Sequence, residues 1–216
     1  MTAISSDPTT VPWPYWMLRY LGTDDGGALD DLIWSVGGSP PYGGVSYEEA
    51  AAVYELLEDY RGAGAAADSS YAAVLAFLEP GSGPATTVEL FRCADAIQSD
   101  PENYGPDPVQ RGLELSRQLG HRGAEASFLS FDAGLHIRQG DDASAADLTR
   151  QALGAFLELA ETDEAYAKRV GQSAANTVSL TARSGDVEGA RKLLGDLADV
   201  IDPDLAEQLR QALGGA

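Results

Sequence analysis

The chain has 216 residues, 34 of them acidic against 14 basic, a formal net charge of -20 at neutral pH, and 44% hydrophobic residues. That apolar content supports a real core and excludes a chain disordered throughout, while the scarcity of Lys and Arg excludes the basic surface that holds nucleic-acid phosphates. One cysteine and two histidines leave no internal disulfide and no usual zinc ligand set, and no apolar run reaches the roughly 20 residues of a membrane span.

No basic segment followed by an apolar one marks a secretion signal at the start of the chain, so a cytoplasmic protein is expected. Lys168 and Lys192 are the only lysines and alanine is abundant, as a GC-rich bacterial genome would write, and a halophilic source would equally give an acidic, lysine-poor chain. Residues 1–11 are rich in Ser, Thr, Asp and Pro and are expected to fray. Pro12 to Leu21 is short and strongly aromatic, with Trp13, Tyr15, Trp16 and Tyr20; together with Trp34 it holds every tryptophan. Residues 22–44 alternate Gly, Asp and Pro around one apolar patch, 29–36. This reads as a brief helix and then a loop through Gly37 to Gly44. The expected organisation is therefore an aromatic N-terminal extension or cap over 1–44 and a helical domain over 45–216.

From Ser46 onward the pattern is helical. Ser46-x-x-Glu49 forms a capping box, followed by Ala50, Val53, Tyr54 and Leu57 at helical spacing. Arg61 to Gly64 stops that helix. Further helices are predicted at about 69–78 and 86–98. Asp107 then caps another, with Pro108 in its first turn, which ends at Gly120. The remainder reads as helices over 122–139, 142–161, 163–184, 187–199 and 203–213. They are separated by Gly140-Asp141, Thr162-Asp163, Gly185-Asp186 and Asp202-Pro203, each a terminator joined to a capping residue. No segment alternates with the period of a strand, so the fold class is all-α.

Gly140-Asp141 recurs as Gly185-Asp186, 45 residues later, and Ala145 and Ala190 follow each glycine at the same distance. Two antiparallel helices joined by a tight turn cannot bury their apolar faces alone, and stacked neighbours complete the burial. The run Gly112 to Ala126, continuing through Ala133 to Asp141 and on to Ala145, Ala152 and Leu153, resembles the tetratricopeptide-repeat superfamily in its degenerate long-helix bacterial form. A second unit over 171–200 keeps Gly185-Asp186, Ala190 and Leu193-Leu194 but has Leu197 where the second alanine belongs. Neither unit has the early Trp or the Leu-Gly pair of that family. The resemblance is best over 108–200. It implies an α-solenoid of antiparallel helix pairs with a concave groove that binds a peptide or a partner protein; separately, no cofactor and no metal are expected.

In such repeats the first helix of each pair lines the groove. The resemblance thus places Ser127, Ser130, Phe131, Gly134 and Arg138 on that face in one unit, and Gln172, Asn176, Ser179 and Arg183 in the next. Asn can clamp a peptide backbone by donating and accepting, and Arg can take a carboxylate with two parallel bonds. The plainer alternative for Arg138 and Arg183 is that both stabilise helix C-termini. The aromatic set Trp13, Tyr15, Trp16 and Trp34 has two readings as well: a cap over the end of the core, or an arm that binds a partner or a second copy of the chain.

Other residues are expected to be structural. The acidic clusters, including Asp24-Asp25 and Asp30-Asp31, lack the alternation of a calcium loop and read as solvated faces and caps. His136 reads as packing, His121 sits at a turn, and Cys93 reads as an inert buried thiol. The glycine-rich Gly62 to Ala67 and the stretch Gly171 to Ala175 imitate a dinucleotide loop and a nucleophile elbow, but no strand precedes either. No catalytic constellation emerges. The leading expectation is a non-enzymatic adaptor, accessory or chaperone-like protein. Two alternatives are kept: an acidic inhibitor or immunity-type protein that masks a basic partner, and a small all-α enzyme.

Overall fold

The structure is a computed structural model that describes residues 11–37 and 44–214. Residues 1–10 of the stretch expected to fray and residues 38–43 of the loop after Gly37 lie outside the described residues. All regular structure among the described residues is helical, and the chain divides into two compact units, Met1–His121 and Arg122–Ala216.

The first unit contains α1 (Trp13–Thr23), α2 (Gly26–Gly37), α3 (Tyr47–Ala63), α4 (Asp68–Leu75), α5 (Gly83–Gln98) and α6 (Pro106–Leu119). The aromatic segment is a full helix. Pro12 and Pro14 precede or open it, where a missing N–H costs nothing, and Trp13, Trp16, Met17 and Leu21 fall on one face and are buried. Asp24 ends the helix in the left-handed region (φ 57°), its N–H returning to Tyr20 O at 2.8 Å. Ser46 caps α3 as expected, accepting from Glu49 N–H at 3.1 Å. The Glu49 carboxylate accepts from Trp13 Nε1 at 2.9 Å, tying α3 to α1.

Helix α1 packs on α2, α2 on α3, α3 on α4, α4 on α5, and α5 back on α1, with α6 laid against α5. This closed ring differs from the serial stacking of a solenoid. Its centre is aromatic. Tyr60 and Phe91 have ring centroids 5.1 Å apart with edges inclined at 64°, and Tyr20 and Tyr71 flank Phe91. The polar tips are bonded: Tyr60 Oη donates to Gln98 Oε1 at 2.8 Å and lies 3.2 Å from Tyr20 Oη. Tyr71 Oη donates to Asp95 Oδ2 at 2.6 Å.

The second unit contains α7 (Arg122–Gln139), α8 (Asp142–Ala160), a 3-10 turn (Glu164–Tyr166), α9 (Ala167–Arg183), α10 (Val187–Leu197) and α11 (Pro203–Gly214). Here packing is serial: α7 on α8, α8 on α9, α9 on α10, and α11 on both α9 and α10. Where α7, α8 and α9 meet, Ala133, Ala145, Ala146 and Leu180 bury a small-residue cluster. The helix predicted from 163 begins at Ala167, because Asp163 accepts from Ala165 N–H and folds the intervening residues into the 3-10 turn.

The two Gly-Asp turns are alike bond for bond. Gly140 and Gly185 have φ of 76° and 100°. Asp141 N–H reaches His136 O at 2.9 Å and Asp186 N–H reaches Thr181 O at 3.2 Å, and each glycine N–H bonds three residues back. This is the glycine-terminated closure in which a left-handed residue satisfies the last carbonyls. Each aspartate then caps the next helix, Asp141 through Ser144 N–H at 3.1 Å and Asp186 through Gly189 N–H at 2.8 Å.

Candidate functional site

The face expected to bind belongs to α7 and α9, which occupy equivalent places before the two Gly-Asp turns. Along α9, Val170, Ala174, Val178 and Thr181 are buried, and Gln172, Asn176 and Arg183 are exposed with Ser179 half-buried. The period of 3.6 separates these two stripes cleanly. Along α7 the equivalent positions differ. Ser127 is buried and donates to Gly123 O at 3.1 Å within its own helix. Phe131 is half-buried with its ring edge-on to Phe128, centroids 5.5 Å apart, and Arg138 is exposed.

Arg183 has a partner that the sequence reading did not identify. Its Nε and Nη2 reach the two carboxylate oxygens of Asp142 at 3.1 and 2.6 Å, a two-bond fork from the end of α9 to the start of α8. Asp142 also lies in the first turn of α8, where a carboxylate is favoured by the helix dipole. Sequence offered one signal, a carboxylate beside the cap residue of the preceding turn, but no means of pairing residues 41 apart.

Of the aromatic set, Trp13 and Trp16 are interior and Tyr15 is half-buried with its ring edge-on to Trp16. Trp34, 67% exposed on α2, is the member the fold presents to the surface.

Titratable groups behave as their surroundings dictate. Burial pushes His121 below the ordinary histidine value. His136 Nδ1 lies 3.2 Å from Asp141 Oδ2, and Asp141 is held below the usual carboxylate range first by the Ser144 bonds. Asp59 is also lowered, by Ala67 N–H and the Ser70 hydroxyl. Asp31 moves the other way, raised by partial burial and then by Asp25, with Asp30 adding to the crowding. Asp95 is 4% exposed; its Oδ2 takes Tyr71 Oη and Ala66 N–H, whereas Oδ1 is enclosed with no hydrogen-bond partner.

Among the described residues no cluster of His, Cys, Asp and Glu is arranged to hold a metal ion, and no helix is long and apolar enough to cross a membrane. Gly62 to Ala67 lies at the end of α3 and in the turn after it, and Gly171 to Ala175 lies inside α9. No family model, curated protein or solved structure matches the chain.

Proposed function

We propose that the chain is a non-enzymatic protein whose second unit, 122–216, is a helical repeat of tetratricopeptide-like type, and that the polar face of α9, with its counterpart on α7, binds a peptide or partner protein. The observation that carries this is the repetition of one turn, one cap and one helix pair after 45 residues, with Gln172, Asn176 and Ser179 held exposed or half-exposed along α9. Two carboxamides one helical turn apart can both donate to and accept from an extended backbone. Arg183 serves first to join α9 to α8, so it is the wrong residue for a binding test.

A Gln172→Ala, Asn176→Ala double variant removes polar groups from an exposed stripe and should leave the melting temperature unchanged within about 2 °C. A tagged pull-down at low and high salt should recover a stoichiometric partner with the wild type and lose it with the variant. Equal capture by both proteins would overturn the α9 assignment. The net charge of -20 favours a second reading, a shield for a basic partner. That reading requires capture to vanish at high salt, since exposed charges are screened beyond about 10 Å at 0.1 M.

A further inference from the structure

Helices α4 and α6 both pack on α5, and between them a hollow of about 310 Å³ opens on the α5 surface. Its α5 side is one helical face, Glu89, Cys93 and Ala96 at i, i+4 and i+7. Cys93 and Ala96 are small, which is why the space exists; Leu75 from α4 and Pro108 from α6 supply apolar walls.

Two guanidiniums complete the lining, Arg92 and Arg111. Both rest on carboxylates of the chain. Arg92 Nη2 is 2.7 Å from Asp68, and Arg111 reaches Glu89 at 2.9 Å and Glu114 at 3.3 Å. Asp68 and Glu114 are 82% and 68% exposed. Ion pairs this exposed are weak and exchangeable. Of the charged groups that line the hollow itself, two are guanidiniums and one, Glu89, is a carboxylate; Asp68 and Glu114 pair with the guanidiniums from outside the lining.

We propose that this hollow is a binding site for a small amphipathic monoanion, an alkyl or aryl carboxylate, whose head group lies at Arg92 and Arg111 and whose hydrocarbon covers Cys93, Ala96, Leu75 and Pro108. A cation is repelled by the two guanidiniums, and a multiply charged phosphate ester meets Glu89. Burial pushes the Cys93 thiol up to about 11, so the floor stays uncharged at neutral pH. The volume sits at the low end for small-molecule sites, which suits a ligand of fragment size.

Cys93 is the single cysteine of the chain, so alkylation of the full-length protein by iodoacetamide at one fixed alkaline pH reads this hollow directly. Octanoate is expected to slow the reaction saturably, by roughly tenfold at about ten times its dissociation constant on simple occupancy. 1-Octanol and octylamine are expected to leave the rate unchanged. Arg111→Gln should alkylate more slowly on its own, because the guanidinium that favours the Cys93 thiolate is gone, and should lose the octanoate protection, read as the ratio of that variant's rates without and with octanoate. Should that variant unfold, Arg92→Gln and the wild-type ligand comparison carry the same test. A rate indifferent to octanoate, equal protection by octanol, or undiminished protection in both arginine variants would each overturn the proposal.

Discussion

A methyl group added to glycine has opposite consequences at two helical positions of the second unit. At Gly171 a Cβ would lie 2.7 Å from the Val200 carbonyl oxygen, a backbone atom that cannot turn aside. Gly171→Ala should therefore cost about 1–3 kcal/mol through overpacking. At Gly154 on α8 a Cβ meets nothing within 4 Å, so Gly154→Ala should stabilise by about 1 kcal/mol, the difference in helix propensity. Urea midpoints of the two variants should fall on opposite sides of the wild type, and two shifts of the same sign would contradict the close approach at Gly171. The buried carboxylate of Asp95 gives another residue-scale test. Tyr71→Phe removes one of its two donors and leaves that oxygen with Ala66 N–H alone. The expected loss is about 1–3 kcal/mol, the penalty for under-satisfying a buried group. A loss near zero would mean that water replaces the hydroxyl.

At the scale of elements, α1 is a core helix. Trp13 is fully buried and bonded to Glu49, and Trp34 stands in solvent. Trp13→Ala should cost about 3–5 kcal/mol, and Trp34→Ala should change stability by no more than about 0.5 kcal/mol. Urea unfolding of the two variants separates them, and similar midpoints would contradict the placement of α1. The helix was legible in principle: Trp13, Trp16, Met17 and Leu21 fall on one face at helical spacing. Two prolines and a run of rings obscured it, because prolines read as breakers until they are seen to occupy only the first turn. The caps at Ser46, Asp141 and Asp186 were legible because their signals are local, whereas Asp107, read as a cap, falls inside the first turn of α6, whose N-cap is Gly105 with no side-chain cap bond. Ser46, Asp141 and Asp186 each accept from a backbone N–H three residues on. The ring closure of α5 on α1 and the fork from Arg183 to Asp142 were not legible. Both join positions far apart in sequence, and no local pattern encodes which distant partner a face will meet.

Across the whole molecule, acidic groups outnumber basic ones by 34 to 14, and among the described residues most ion pairs, the half-buried Arg183–Asp142 pair aside, lie at the surface, where they contribute about 0–1 kcal/mol each. Salt weakens these attractions and the like-charge repulsion together, but repulsion has far more members. Added sodium chloride should therefore raise the melting temperature. The pH dependence has two opposing parts. Asp59 and Asp141 have lowered values in the fold, so the stability they contribute is present above the ordinary carboxylate value of 3.8 and is lost as pH falls through their lowered values. Asp31 has a raised value, so it favours the fold when protonated, and that contribution disappears as pH rises through the raised value. Asp31→Asn should accordingly raise the urea midpoint at neutral pH and have little effect well below 3.8, where the native carboxyl is already neutral. Equal gains at both pH values would mean that shape rather than charge at residue 31 is responsible. A melting temperature that falls with salt would mean that the exposed ion pairs outweigh the repulsion of the acidic surface.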